Sequence, residues 1–378
     1  MTSIPRVYSL VNNPITSLLA YEIAQLPSQP KVPQVVLLLN DMKKLSRFLE
    51  NDSKLTIQKN NDTDYHHSQF MASHLPPVYS TGEVATIPNA IFSGPHVKGL
   101  VQSIQKYKKS LNDRSNVLLV NPPVGVIENL YMNVWQTKES RPNLLIGITA
   151  RKERSVAVSV NEFHINVKKP KLTLRISPVP KDLFHYNEDL QSDEIRNMRE
   201  RNDLVKLLES TTENKSGVLS LDLLFYPYGE LLLIRLEKLI IESCIEPLAA
   251  LYGCRYRHEL FKIEHAKNLI MDMIKEQVWI LRCAYPFLAN IPNVKTALDY
   301  DRLYSVVLRE LEQGGNKFTR MLYEIDQLQG TNISELTGFF MRIANYRKID
   351  CKLNNTITNL VMGKAALARQ KTFDYKYL

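Results

Sequence analysis

Residues 231–253, LLLIRLEKLIIESCIEPLAALYG, constrain this chain more than any other stretch. The run is apolar on most faces, and Gly253 is a natural place for a helix to stop. Pro247 should kink the helix near its end, because proline removes a backbone N–H and crowds the preceding turn. One polar line interrupts the run. Arg235, Lys238, Glu242 and Glu246 recur three and four residues apart, which puts them on one helix face. A largely buried helix therefore shows one charged stripe. Either that stripe is solvated and holds a Lys238–Glu242 pair worth roughly a few tenths of a kcal/mol, or it lines a cleft and presents a functional lysine.

At 378 residues the chain is too long for one ordinary core and reads as two domains. Hydrophobic residues at 44% and charged residues at 23% describe a folded globular protein. A net charge of +9 permits a nucleic-acid or anionic-membrane partner without requiring one. Cys244, Cys254, Cys283 and Cys351 form no CxxC pair and lie near no histidine cluster, so they read as reduced thiols. The histidines, including His66 and His67, are scattered through polar segments, and no metal site is expected. No apolar run reaches the roughly eighteen residues of a membrane-spanning helix. A strand expected from about Pro5 leaves no room for a secretory signal or a cleavable transit peptide.

In chain order, residues 6–10 read as a buried strand, 11–14 as a turn and 15–25 as a helix. A strand at 35–39 and a helix at 41–50 complete a β-α-β opening, the start of a doubly wound sheet. Residues 51–67 read as a polar loop. Strands follow at 90–92, 116–120 and 144–149, with helices at 97–111 and 124–135 between them. Alternation over 155–177 suggests a β-meander. Residues 181–215 are acidic on balance and poor in large apolar side chains, which reads as a surface insertion or linker. A last strand at 218–226 precedes the central helix. Further helices are expected at 256–276, 278–283, 299–313, 318–328, 333–345 and 356–368. The predicted domains are thus an α/β, degenerate Rossmann-like unit over 1–180, a charged insertion or linker over 181–216 and an all-helical unit over 217–378.

Three blocks carry a family resemblance. LLVNPPVGVIENL (118–130), KLIIESCIEPLA (238–249) and TRMLYEIDQLQGTNISELTGF (319–339) occur in the order found in the ketopantoate reductase superfamily, which the chain resembles over most of its length. The resemblance implies a Rossmann-like domain followed by a helical one. It also sets out what is missing. A dinucleotide fold needs glycines after its first strand so that pyrophosphate can approach the backbone at a helix N-terminus. Here those three positions are Val11, Asn13 and Thr16, and Pro14 removes a donor as well. The family's Asn-Gly turn beside the nicotinamide reads Pro122-Pro123, with Asn121 one place early. Lys238 matches the family's catalytic lysine, but the supporting asparagines are Glu242 and Glu246. The substrate-binding serine is Arg320, and the acidic partner is Asn332. Two carboxylates beside a lysine should hold its proton, which suits a salt bridge better than a general acid. We therefore expect a reductase fold without its chemistry and without a cofactor.

The N-terminal segments IPRVYSL, IAQLPSQPKVP and VVLLLNDMKKLSRFLENDSK, with LIIESCIEPLAALYGC and FDYKYL, are similar to a family of budding-yeast mitochondrial translational activators of cytochrome b mRNA. That similarity implies a nuclear-encoded mitochondrial protein, peripheral on the matrix side of the inner membrane. It implies action through the 5′ untranslated leader of cytochrome b mRNA and the mitochondrial ribosome, with other translational activators as possible partners.

Three basic segments could serve such a role. One contains Lys98, Lys106, Lys108, Lys109 and Arg114. A second contains Arg151, Lys152, Arg154, Lys168, Lys169, Lys171 and Arg175. The third runs from Arg342 and includes Arg347 and Lys348 among the aromatics Tyr346, Phe373, Tyr375 and Tyr377. Aromatic rings stack on unpaired bases and cations hold phosphate. Basic runs are also ordinary solvated surface, and no RNA-recognition module signature is present. The expected mechanism is tethering of leader or ribosome. A scaffold that touches no RNA and a surviving NADP(H)-dependent reductase resting on Lys238 are the alternatives.

Overall fold

The computed structural model describes residues 4–59, 65–150, 153–183, 186–214 and 217–375. It divides into two compact units, Met1–Tyr228 and Gly229–Leu378. The boundary falls later than position 216.

The first unit holds strands β1 (Val7–Leu10), β2 (Val35–Leu38), β3 (Lys54–Lys59), β4 (Tyr65–Gln69), β5 (Met71–Ser73), β6 (Asn89–Ser93), β7 (Asn116–Val120), β8 (Asn143–Thr149), β9 (Ala157–Ser159), β10 (His164–Val167), β11 (Lys171–Pro178) and β12 (Ser220–Phe225). Its helices are α1 (Pro14–Ala24), α2 (Met42–Glu50), α3 (Val97–Lys106), α4 (Val126–Asn133), α5 (Glu153–Val156), α6 (Gln191–Arg201) and α7 (Asp203–Glu213). Eight strands form one sheet in the order β12-β11-β8-β7-β6-β1-β2-β5, parallel except where β11 meets β8. β1, β2, β6 and β7 are buried at every residue, as a parallel sheet covered on both faces requires. The β-α-β opening and the strands read at 90–92, 116–120 and 144–149 lie in this sheet. α4 starts at Gly125, whose φ of +87° suits glycine's freedom in the left-handed region.

Within the stretch 51–67, read as a loop, residues 54–59 and 65–67 are strand. β3 and β4 pair with β10 and β9 in a second sheet of order β4-β3-β10-β9. Leu55, Ile57, Ile165 and Val167 turn one face of it into the core, while the intervening polar residues hide that alternation in the sequence. His66 and His67 lie on β4, and His67 Nδ1 is 3.0 Å from Thr56 Oγ1. The meander read over 155–177 is instead divided: β9 and β10 join the small sheet and β11 the large one.

Within the charged segment 181–215, residues 191–213 form α6 and α7 rather than a loose insertion. Asn202 separates its two helices and caps α7, accepting from the N–H groups of Leu204 and Val205 at 3.0 and 3.2 Å. Leu204, Val205 and Leu208 are fully buried, and the pair packs on α1, β11 and β12. The apolar residues are few but share one stripe, which suffices for a covering helix.

The second unit is helical after α8 (Tyr228–Tyr252): α9 (Arg257–Phe261), α10 (Glu264–Ala284), α11 (Val294–Ala297), α12 (Tyr300–Glu312), α13 (Arg320–Asp326), α14 (Thr337–Arg347) and α15 (Lys352–Tyr375). α8 continues through Pro247, and Gly253 ends it with φ +71°. The single helix expected over 256–276 breaks at Lys262–Ile263, and the piece expected at 278–283 is the end of α10. A buried polar chain joins three helices. Gln277 on α10 meets Cys244 on α8 and donates to Asn354 on α15 at 2.8 Å. Glu276 accepts from the N–H groups of Leu353 and Asn354, capping α15. Burial pushes the Cys244 thiol up, and pushes that of Cys351 up to about 12, so both stay protonated. Among the described residues, no helix is long and apolar enough to cross a membrane.

Candidate functional site

In the first unit, the turn from β1 into α1 uses its own polar groups. The Asn13 side chain accepts from Ile15 N at 2.8 Å, Pro14 has no N–H, and Asn13 carbonyl accepts from Ser17 N. Thr16 Oγ1 donates to Leu10 carbonyl at 2.8 Å. Val11 is buried, and its carbonyl accepts Lys44 Nζ at 2.7 Å. Burial lowers the Lys44 pKa. A phosphate needs free N–H groups at such a helix start, whereas here a carboxamide and a proline take that place. At the neighbouring strand end, Asn121 adopts φ +46° and exchanges hydrogen bonds with Thr149, so its amide ties β7 to β8.

In the second unit, α8 presents the charged stripe, but unevenly. Lys238 is exposed and joins no ion pair among the described residues, whereas Arg235 and Glu246 are buried. The Lys238–Glu242 pair does not form. Both carboxylates instead turn to Arg257, the first residue of α9, whose Nη2 donates to Glu242 at 2.8 Å and Glu246 at 3.0 Å. The second oxygen of Glu246 accepts from the N–H groups of Arg320 and Met321 at 2.8 and 3.0 Å, capping α13. This is a charge-assisted N-cap supplied from another helix. The Arg320 side chain turns outward, and its Nε meets Glu324 at 2.5 Å. Asn332 accepts through its carbonyl from Glu335 N, apart from this group. The structure thus brings Glu242, Glu246 and Arg320 together around Arg257, and leaves Lys238 and Asn332 outside. Arg257 was not singled out in the sequence, because an arginine between Tyr256 and His258 gives no sign that it faces inward.

The basic segments are spread over both units. Lys108 and Lys109 are exposed beside Ser110, whose carbonyl accepts from Ile87 N ahead of β6. Lys106 Nζ donates to Asn40 carbonyl at 3.1 Å. Lys168 and Lys169 sit exposed in the turn after β10, Lys171 pairs with Asp222 at 3.0 Å, and Arg175 lies over the Tyr226 ring at 5.8 Å. Arg347 and Lys348 end α14 in the second unit, where Lys348 takes φ +55° and Arg347 donates to Ala284 carbonyl. Arg151, Lys152 and Tyr377 lie outside the described residues, as do the side chains of Arg154, Phe373 and Tyr375. No group of three or more metal-ligating side chains gathers among the described residues.

Comparison with known proteins agrees with this architecture. Residues 230–365 match the model of the ketopantoate reductase PanE/ApbA C-terminal family. Over 391 aligned positions covering all of both chains, the protein is 42% identical to the Saccharomyces cerevisiae protein named cytochrome B translational activator CBS2. It is 28% identical to a Schizosaccharomyces pombe protein named "Probable 2-dehydropantoate 2-reductase", over 96% of this chain and 97% of that one. The crystal structure of a candidate 2-dehydropantoate 2-reductase from Enterococcus faecalis superposes with a TM-score of 0.69 at 13% identity, covering 96% of this chain and 99% of the other. At that identity the likeness speaks for the fold alone, a ketopantoate reductase-like one.

Proposed function

Since this chain belongs to the family of the yeast cytochrome b translational activator CBS2, we propose that it too activates translation of cytochrome b mRNA, as a mitochondrial protein without enzymatic activity. In this reading it acts through the 5′ untranslated leader and the mitochondrial ribosome, peripherally on the matrix side of the inner membrane. It tethers one to the other, alone or with other activators.

The observation that supports the loss of chemistry is Glu246. Where the resemblance places an asparagine supporting the catalytic lysine, this carboxylate is spent on Arg257 and on the backbone of Arg320 and Met321. Three of the roughly four acceptor positions of that carboxylate are thus taken by donors of the protein itself. The β1–α1 turn points the same way, with Asn13 capping the helix that would otherwise receive pyrophosphate.

The test is pulse-labelling of mitochondrial translation products in cells lacking the protein. The expected result is loss of cytochrome b alone, with synthesis recovered when its message carries a different leader. Unchanged cytochrome b labelling would sink the reading. A second reading, a surviving reductase, draws on Lys238, exposed and in no ion pair among the described residues, and on the fission-yeast relative. Oxidation of NADPH with a 2-oxo acid by the purified protein would favour it.

A further inference from the structure

Two extended stretches of the second unit meet through an isolated antiparallel bridge between Tyr256 and Phe318. Arg257 N donates to Lys317 carbonyl at 3.1 Å, and Thr319 N to Arg255 carbonyl at 2.9 Å. Side chains alternate across such a pair. Arg257 and Thr319 point inward, at 3% and 0% exposure. Tyr256 and Phe318 lie on the outer side with ring centroids 5.8 Å apart. The row continues at both ends. His258 stacks on Tyr256 at 6.0 Å with planes 17° apart, and Tyr323 meets Phe318 edge-on at 5.7 Å.

The result is four rings in sequence, His258, Tyr256, Phe318 and Tyr323, the first two half-buried and the last two exposed. Phe318 is 50% exposed and Tyr323 46%. Contiguous exposed aromatics mark an interaction site, because open water gives them nothing to pack against. Cations interleave with the rings. Arg255 is exposed and makes no ion pair among the described residues. Lys317 is 42% exposed, and the Arg320 side chain 62%. The neighbouring carboxylates are engaged: Glu259 caps Tyr256 N, Glu310 meets Lys317 and Arg257, and Glu324 holds Arg320 Nε. The buried Glu246–Arg257 group holds both stretches from beneath, so the row is rigid before anything binds.

We propose that this row is a stacking site for unpaired bases of single-stranded RNA, with Arg255, Lys317 and Arg320 meeting the phosphates. Exposed Phe318 and Tyr323 offer ring faces that accept any base, and the cations follow the backbone. This rests on the messenger reading above and supplies it with a contact surface, distinct from the basic segments picked from the sequence.

The test is fluorescence anisotropy of a fluorescein-labelled oligouridine with the full-length protein and with Phe318→Ala/Tyr323→Ala. The double variant should bind about tenfold or more weakly, with an unchanged melting temperature, while Phe318→Trp binds like the wild type. If the double variant does not fold, Arg255→Glu takes its place, and it should weaken binding and flatten the salt dependence. Wild-type affinity in the variants, or no oligouridine binding by the wild type, overturns the site. Variants that bind RNA normally yet lose cytochrome b synthesis also overturn it, because the surface then takes a protein. If cells lacking the protein label cytochrome b normally, it is the messenger reading that falls, whatever the titration gives.

Discussion

Arg257 Nη2 donates to Glu246 Oε1 across 3.0 Å, with the two side chains only 3% and 6% exposed. Breaking a buried pair leaves one charge without its partner, which costs far more than the pair itself contributes. Arg257→Met should therefore lower stability by about 3–5 kcal/mol, read as a fall in the urea midpoint at constant m-value. Adding Glu242→Gln and Glu246→Gln should recover part of the loss. A single variant within about 1 kcal/mol of the wild type would show the network to be solvated.

Lys238 stands on the same helix and behaves oppositely. It is exposed and joins no ion pair among the described residues, so Lys238→Ala should change stability by no more than about 0.5 kcal/mol. Under the non-enzymatic reading it should also leave cytochrome b labelling intact. Loss of labelling without loss of fold would restore a role for the lysine.

The β1–α1 turn makes a prediction about cofactor. A ligand at 100 times its dissociation constant raises stability by about 2.7 kcal/mol. With Asn13 and Pro14 at the start of α1, millimolar NADPH should leave the melting temperature unmoved. A clear rise would reopen the reductase reading.

Glu22 on α1 is 1% exposed, and its Oε1 accepts from Val218 N and Leu219 N at 3.1 and 2.9 Å. Its Oε2 has no hydrogen-bond partner among the described residues. Burial raises its pKa to about 7, against the lowering effect of those two N–H groups. A raised carboxyl pKa means the folded state binds the proton more tightly than the unfolded chain does. Its contribution is thus fully present below about pH 4.5 and is lost as pH rises through about 7. The span is roughly 3 kcal/mol. Glu22→Gln should flatten that part of the stability–pH profile, followed by urea unfolding at pH 5, 6, 7 and 8. A variant profile parallel to the wild type's would rule out Glu22 as the source.

The helices over 191–213 carry part of the first unit's core. Leu208 is fully buried on α7, so Leu208→Ala should cost about 2–5 kcal/mol. A loss below about 0.5 kcal/mol would return the segment to the status of an appendage.

The two-part architecture was legible because α8 and the parallel strands are apolar almost throughout, and burial on all sides leaves that mark on a sequence. Segments covered on one side only were harder to see. β3 buries just Leu55 and Ile57 between polar neighbours, β4 buries no residue, and α7 buries a stripe within a charged run. The vestigial site was half legible. The changes to Glu242, Glu246 and Arg320 are visible residue by residue, but their destination is not. A guanidinium that gathers two carboxylates comes from α9, beyond the end of α8, and side-chain direction there depends on the Tyr256–Phe318 bridge. The same alternation decides which residues reach the surface, and residue type alone does not show that Phe318 and Tyr323 are among them.

The bonds from Glu22 to Val218 and Leu219 join positions 196 and 197 residues apart. A chain emerging from a ribosome or threading a pore presents α1 early and its partners only near the end of the first unit. Until Leu219 has cleared the opening, α1 holds a carboxyl that must either stay hydrated, keeping the helix off the sheet, or be buried with no backbone donor. Such closure of a long loop is slow to form. The first unit therefore locks in one late step, and a product released short of residue 218 remains an open chain, accessible to chaperone and protease.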